Sequence, residues 1–123
     1  MADPTVLTAI VGADNVTTDD MARVVHTYGK SIRDLMRVRG NMILRSPDVV
    51  IYPADEAEVQ KIVDAAVAAD AVIIPFGGGS NIAGSLEPVP TEKRVIVSLD
   101  LGRLRRVIDI DADAGLARIQ AGA

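Results

Sequence analysis

The sequence predicts an α/β fold with an antiparallel addition, and three observations predict it. Two short β-branched runs, residues 48–52 and 71–75, flank a stretch whose apolar residues recur at helical spacing. A third Val/Ile-rich run, residues 94–99, follows them. Aromatic residues make up only 2% of the 123 residues although hydrophobic residues make up 49%. A core must then be built from Val, Ile, Leu and Ala, the composition of strands packed on small-residue helices.

Taken in order, residues 1–15 mix small residues with little periodicity and are expected to form a loose lead-in. Thr17-Thr18-Asp19-Asp20 offers capping side chains ahead of Met21, Val24 and Val25, so a short helix is expected to stop near Gly29. Ser31, with Asp34 three residues on, resembles a capping box with the shorter acid. Ile32, Leu35 and Met36 would line one face of a second short helix ended by Gly40. Residues 48–52, closed by Pro53, form a buried strand on this reading. Asp55 with Glu58 marks the next helix start. Val59, Ile62, Val63, Ala66 and Val67 then give one apolar stripe. With residues 71–75 as the next strand, this makes a β-α-β unit, whose strands are normally parallel. After the third strand, residues 106–110 and 116–121 form a hairpin around the turn formers 111–115. The chain stops at Gln120-Ala121-Gly122-Ala123, directly after a predicted strand, and that end reads as a cut.

Thirteen Lys and Arg against 17 Asp and Glu give a net charge of −4. An acidic chain poor in aromatics lacks the equipment for general nucleic-acid binding. The basic residues Lys30, Arg33, Arg37, Arg39 and Arg45 cluster in the first half, either as a solvated helix face or as a patch toward an anion or another domain. With no cysteine there is no disulfide, and His26, the one histidine, cannot build a multi-His metal site. His26 is expected to be a partly exposed helix residue. Asp109, Asp111 and Asp113 suit a solvated turn or, less simply, a hard cation. No apolar run is long enough for a transmembrane segment, and the first residues lack the layout of a signal peptide, so a cytoplasmic location is expected.

The chemistry concentrates in Phe76-Gly77-Gly78-Gly79-Ser80-Asn81, directly after a buried strand. Three glycines remove every Cβ from the loop, so main-chain N–H groups can approach a ligand closely. Successive N–H groups of this kind form concave anion sites, and a diphosphate is the natural guest. Ser80 and Asn81 would add side-chain donors at the rim. A Walker A loop needs a Lys that is absent here, and a Rossmann fingerprint needs glycine where Ile82 stands. Ser80 and Ser85 have no neighbouring His to act as base, which argues against a serine hydrolase. A glycine-rich turn without a ligand remains the alternative.

Residues 45–53, then 58–63, then Ile74-Pro75-Phe76-Gly77-Gly78-Gly79-Ser80 resemble the vanillyl-alcohol-oxidase-type FAD-binding family. Ile96-Val97-Ser98-Leu99-Asp100 and Ala121-Gly122-Ala123 match the same order of landmarks, over roughly residues 46–123. The stretch 28–39 is similar to the alkyldihydroxyacetonephosphate synthase branch, which forms ether lipids by acyl-to-alkyl exchange. FAD-linked 2-hydroxy-acid oxidoreductases acting on glycolate or D-lactate share the cofactor domain and form the second reading. A non-catalytic nucleotide-binding or interaction module is the third.

The resemblance implies a helical lead-in, residues 1–45, and the first lobe of a two-lobed FAD-binding domain, residues 46–123. It implies that the N–H groups of Gly77, Gly78, Gly79, Ser80 and Asn81 bind the FAD pyrophosphate. Pro75 and Phe76 would flank the adenosine side, and Ser85 would lie near the flavin end. The family's catalytic residues fall later than this chain, which alone is expected to be inactive and to bind FAD weakly. The partners expected are FAD and either the remainder of the flavoenzyme or a second copy meeting an unpaired sheet edge at residues 116–121.

Overall fold

The computed structural model describes residues 4–123. Helix α1, Pro4–Val11, leads into a 3-10 turn, Ala13–Asn15, and a two-residue strand β1, Val16–Thr17. Helices α2, Asp20–Val25, and α3, Ile32–Arg39, follow. Then come β2, Val49–Ile51, helix α4, Glu56–Ala68, and strands β3, Val72–Phe76, and β4, Ile96–Asp100. The last elements are β5, Val107–Asp111, and β6, Leu116–Ile119.

The β-α-β unit is present, with a modification. The sheet order is β1-β2-β4-β3, so β4 inserts between the two strands that α4 connects. Both β2 and β3 run parallel to β4, and β1 adds antiparallel at the edge. Pro75 sits in β3, an outer strand, where its missing N–H is tolerated.

Apolar residues alternate between the faces of this sheet. Val49, Ile51, Val97 and Leu99 pack with Leu7 and Val11 of α1 and Ile62 of α4. Ile74, Phe76 and Ile96 form a smaller cluster with Leu86. Asp48 extends the β2–β4 ladder, because its N–H donates to the Ile96 carbonyl and its carboxylate accepts from the Ile96 N–H, both at 2.8 Å. Two hydrogen bonds from the Arg45 guanidinium, the largest cause, hold the Asp48 pKa below the usual carboxylate value against the effect of burial.

The helix caps are as the sequence predicts. Asp19, Ser31 and Asp55 each accept from the N–H three residues on, and Gly40 closes α3. Glu58 reaches back to the Ala54 N–H at 2.7 Å, one residue before the usual capping-box target.

Several expectations are corrected. Of the lead-in, Pro4–Val11 is helical, because Leu7 and Val11, one turn apart, seal the sheet face beside α4. Helix α2 ends at Val25, well before Gly29. The apolar face of α3, whose direction the sequence left open, points outward, with Ile32 82% exposed, while the inward residue is Asp34. Strands β5 and β6 pair with one another as a separate two-stranded sheet, so residues 116–121 do not edge the main sheet. Among the described residues no helix is long and apolar enough to cross a membrane.

Candidate functional site

Parallel strands β3 and β4 end side by side, Phe76 paired with Asp100, and the loops beyond their carboxyl ends face each other. In open α/β sheets that is where ligands bind. The glycine loop leaves β3 at Gly77. The main-chain N–H groups of Gly77, Gly78, Gly79 and Ser80 make no hydrogen bond within the described residues. Gly77, Gly78 and Ser80 are exposed, so their N–H groups are available to an anion.

The glycines have separate roles. Gly79 is buried at φ 64°, and a Cβ on it would lie 2.6 Å from the Phe76 ring. A Cβ on Gly78 would meet nothing within 4 Å. Its missing side chain leaves open space that none of the described residues fills.

The remaining predicted residues frame the loop. Asn81 accepts from the N–H groups of Ala83 and Ser85 through its side-chain oxygen, at 3.0 and 3.1 Å. Its acceptor is therefore committed to shaping the 81–85 turn, and its carbonyl takes the Lys30 N–H at 2.8 Å. Ser85 is held by its own N–H in that turn and its side chain is exposed. Pro75 is exposed on the outer strand, whereas Phe76 is buried beneath the loop, its ring centroid 4.2 Å from that of His26.

The facing wall is the turn after β4. Leu101 donates its N–H to the Phe76 carbonyl at 2.8 Å, and the Asp100 carboxylate accepts from the Gly102 N–H at 2.7 Å. Gly122 packs against the Leu101 carbonyl and donates to the Leu104 carbonyl at 2.9 Å. The Ala121 carbonyl lies 3.7 Å from where a Gly77 Cβ would stand. The two sequence landmarks, residues 96–100 and 121–123, thus converge on the glycine loop.

Sequence reasoning missed His26. It is 5% exposed at the end of α2, with Nδ1 2.7 Å from the Ala22 carbonyl and Nε2 2.8 Å from Asp100. Burial is the largest single influence and would lower its pKa. The Asp100 hydrogen bond, the Ala22 carbonyl and the Asp100 charge together outweigh it and raise the pKa above the ordinary imidazole value. Nothing within α2 signals this, since the partner is 74 residues away.

The basic cluster is largely spent inside the chain. Arg33 and Arg37 both reach Glu87, at 3.3 and 2.7 Å, and Arg45 pairs with Asp48. Among the described residues no group of three His, Asp or Glu side chains is placed to hold a metal. The site offers unbonded N–H donors and an open approach, which suits an anion held by backbone.

Comparison with known proteins gives this arrangement a family context. A family model described as an FAD binding domain matches residues 47–123. The alkyldihydroxyacetonephosphate synthase of Trypanosoma brucei brucei is 40% identical over 117 residues, covering 94% of this chain and 19% of that protein. A solved structure of an alkyldihydroxyacetonephosphate synthase superposes with a TM-score of 0.87 at 42% identity, over 94% of this chain and 22% of its own. The mitochondrial D-lactate dehydrogenase (cytochrome) of Arabidopsis thaliana is 33% identical over 95 residues, 76% of this chain and 15% of that protein. The chain thus spans about a fifth of the length of the synthases it matches.

Proposed function

Because this chain belongs to the FAD binding domain family, we propose that its loop Gly77–Ser80 holds the FAD pyrophosphate as the first lobe of a larger flavoenzyme. The observation that carries the reading is the set of unbonded N–H groups on Gly77, Gly78 and Ser80 beside the open space at Gly78. A pyrophosphate needs several donors and little shape selectivity, which this backbone supplies without a cationic side chain. On this reading the exposed Pro75 and Ser85 would flank the bound nucleotide.

The parent activity we favour is the acyl-to-alkyl exchange of the alkyldihydroxyacetonephosphate synthases, supported by identity that runs through the helical lead-in as well as the cofactor loop. Bound flavin would supply the reactive ring. The residues of this chain would anchor and orient the nucleotide end. The likeness to a D-lactate dehydrogenase supports a redox member of the family as the second reading. The rest of the enzyme, or a second copy of the chain, is the partner that would cover the exposed hairpin β5–β6.

Gly78→Val tests the loop assignment in the complete natural protein. A Cβ there meets nothing within 4 Å, so the larger side chain is expected to keep the fold while blocking the approach to the N–H groups. The expected result is loss of visible flavin absorbance after gel filtration, with the thermal midpoint of flavin-free wild-type protein, since bound flavin itself raises the midpoint. Normal flavin content in that variant removes the assignment.

A further inference from the structure

The glycine loop rests on residues that lie ahead of the matched family segment. His26, from α2, contacts both walls of the site. Its ring lies against Phe76, whose ring tip in turn abuts Gly79. Its Nε2 holds one oxygen of Asp100, whose other oxygen holds the Gly102 N–H. Three residues on, Gly29 abuts the Asn81 carbonyl so closely that a Cβ has no room, and the Lys30 N–H donates to that carbonyl. Arg33 and Arg37 then clamp Glu87, just past the loop.

Both ring nitrogens of His26 face oxygen acceptors, a carbonyl and a carboxylate, so both are placed to donate. Only the imidazolium can do that. The surroundings agree. Among the described residues the titratable groups facing the ring are Asp100 from β4 and Tyr52 just after β2, whose ring stands edge-on at 6.1 Å. Burial and the Asp100 charge raise the Tyr52 pKa, so Tyr52 stays neutral. Arg23, on the same helix, points away to the Pro47 carbonyl and Asp20. From β3 the ring meets only Phe76.

We propose that protonated His26 is a positioning residue for the dinucleotide loop, locking both walls through Phe76 and Asp100, and that flavin is released more readily once it loses its proton. The proposal rests on the reading that Gly77–Ser80 holds the pyrophosphate. The sign follows from the raised pKa of His26. A contribution of this kind is complete below the ordinary imidazole pKa and fades as pH rises through the raised one.

The test uses the complete natural protein and measures FAD affinity from pH 5.5 to 9, with the His26 titration followed by NMR. The His26 resonance is identified by its absence in His26→Gln. Gln keeps one donor but carries no charge. In the wild type, affinity should fall across the interval in which His26 titrates, above the usual imidazole range. His26→Gln should bind FAD about tenfold more weakly at pH 6.5, the scale of one lost hydrogen bond to a charged group, and its profile should lose that step. Asp100→Asn should lose the same step. Ile62→Val, which loosens the opposite face of the sheet, should keep the step even though stability falls. A wild-type profile flat across the His26 titration, a His26 pKa at or below the ordinary value, or wild-type affinity and profile in His26→Gln overturns the proposal. If Gly78→Val also keeps its flavin, the loop reading itself has failed. If Gly78→Val loses flavin while His26→Gln behaves as wild type, the failure belongs to His26 alone.

Discussion

At Gly79 the main chain passes through φ 64° against the Phe76 ring, which also packs on His26. Gly79→Ala therefore meets two penalties, a left-handed backbone and a Cβ contact at 2.6 Å. Left-handed backbone costs a non-glycine residue about 1–2 kcal/mol before any clash is counted. A stability loss of about 2 kcal/mol or more is expected for Gly79→Ala, against about 0.5 kcal/mol or less for Gly78→Ala. Urea denaturation of the two variants checks this, and equal losses would show that the ring yields. The sequence marks all three glycines alike, since a run of Gly carries no sign of which position turns, which is overhung and which is open. That distinction comes from the Phe76 ring and from the φ each glycine adopts, which the folded loop sets and the residue letters do not.

Helix α4 shows how far pattern alone carries an element. Its cap at Asp55 and its stripe were both legible, because capping and 3.6-residue periodicity are local properties. The stripe as read from sequence was wider than the contact, however. Ile62 is fully buried between α4 and the sheet, whereas Val67 is 76% exposed. Ile62→Ala should cost about 2–5 kcal/mol, the range for removing a buried aliphatic side chain, and Val67→Ala about 0.5 kcal/mol or less. Chemical denaturation of each variant reads the difference, and comparable losses would mean that Val67 is covered in solution. The three main strands and the hairpin were legible for the same local reasons. The insertion of β4 between β2 and β3 was not, because strand order is set by long-range packing and leaves no mark in the runs themselves. Helix α3 failed differently. Its apolar residues have helical spacing but face outward, so periodicity located the helix and could not say which side is buried.

For the molecule as a whole, two stretches group exposed apolar side chains closely. Helices α2 and α3 expose Met21, Val25, Ile32 and Met36, and the hairpin β5–β6 exposes Val107, Ile108, Ile110, Leu116 and Ile119. A two-stranded sheet with both faces bare gains little from water and keeps an unpaired edge on each strand. The synthases that resemble this chain are about five times its length, so such surfaces have further chain available to cover them there. By itself, the 123-residue polypeptide is expected to bury the hairpin against another copy. Sedimentation velocity should then show species heavier than a monomer that grow with concentration. Ile110→Lys places a charge on the hairpin without touching the glycine loop, and should shift the distribution toward monomer because an unpaired charge is costly to bury. Covering by additional chain predicts a second result: in a longer natural protein the amides of β5 and β6 should be protected from hydrogen exchange, whereas in the 123-residue Ile110→Lys chain they should exchange freely. A wild-type 123-residue chain that stays monomeric would show that water tolerates the hairpin as it stands, and the case for a required partner at that face would fail while the glycine-loop assignment stood untouched.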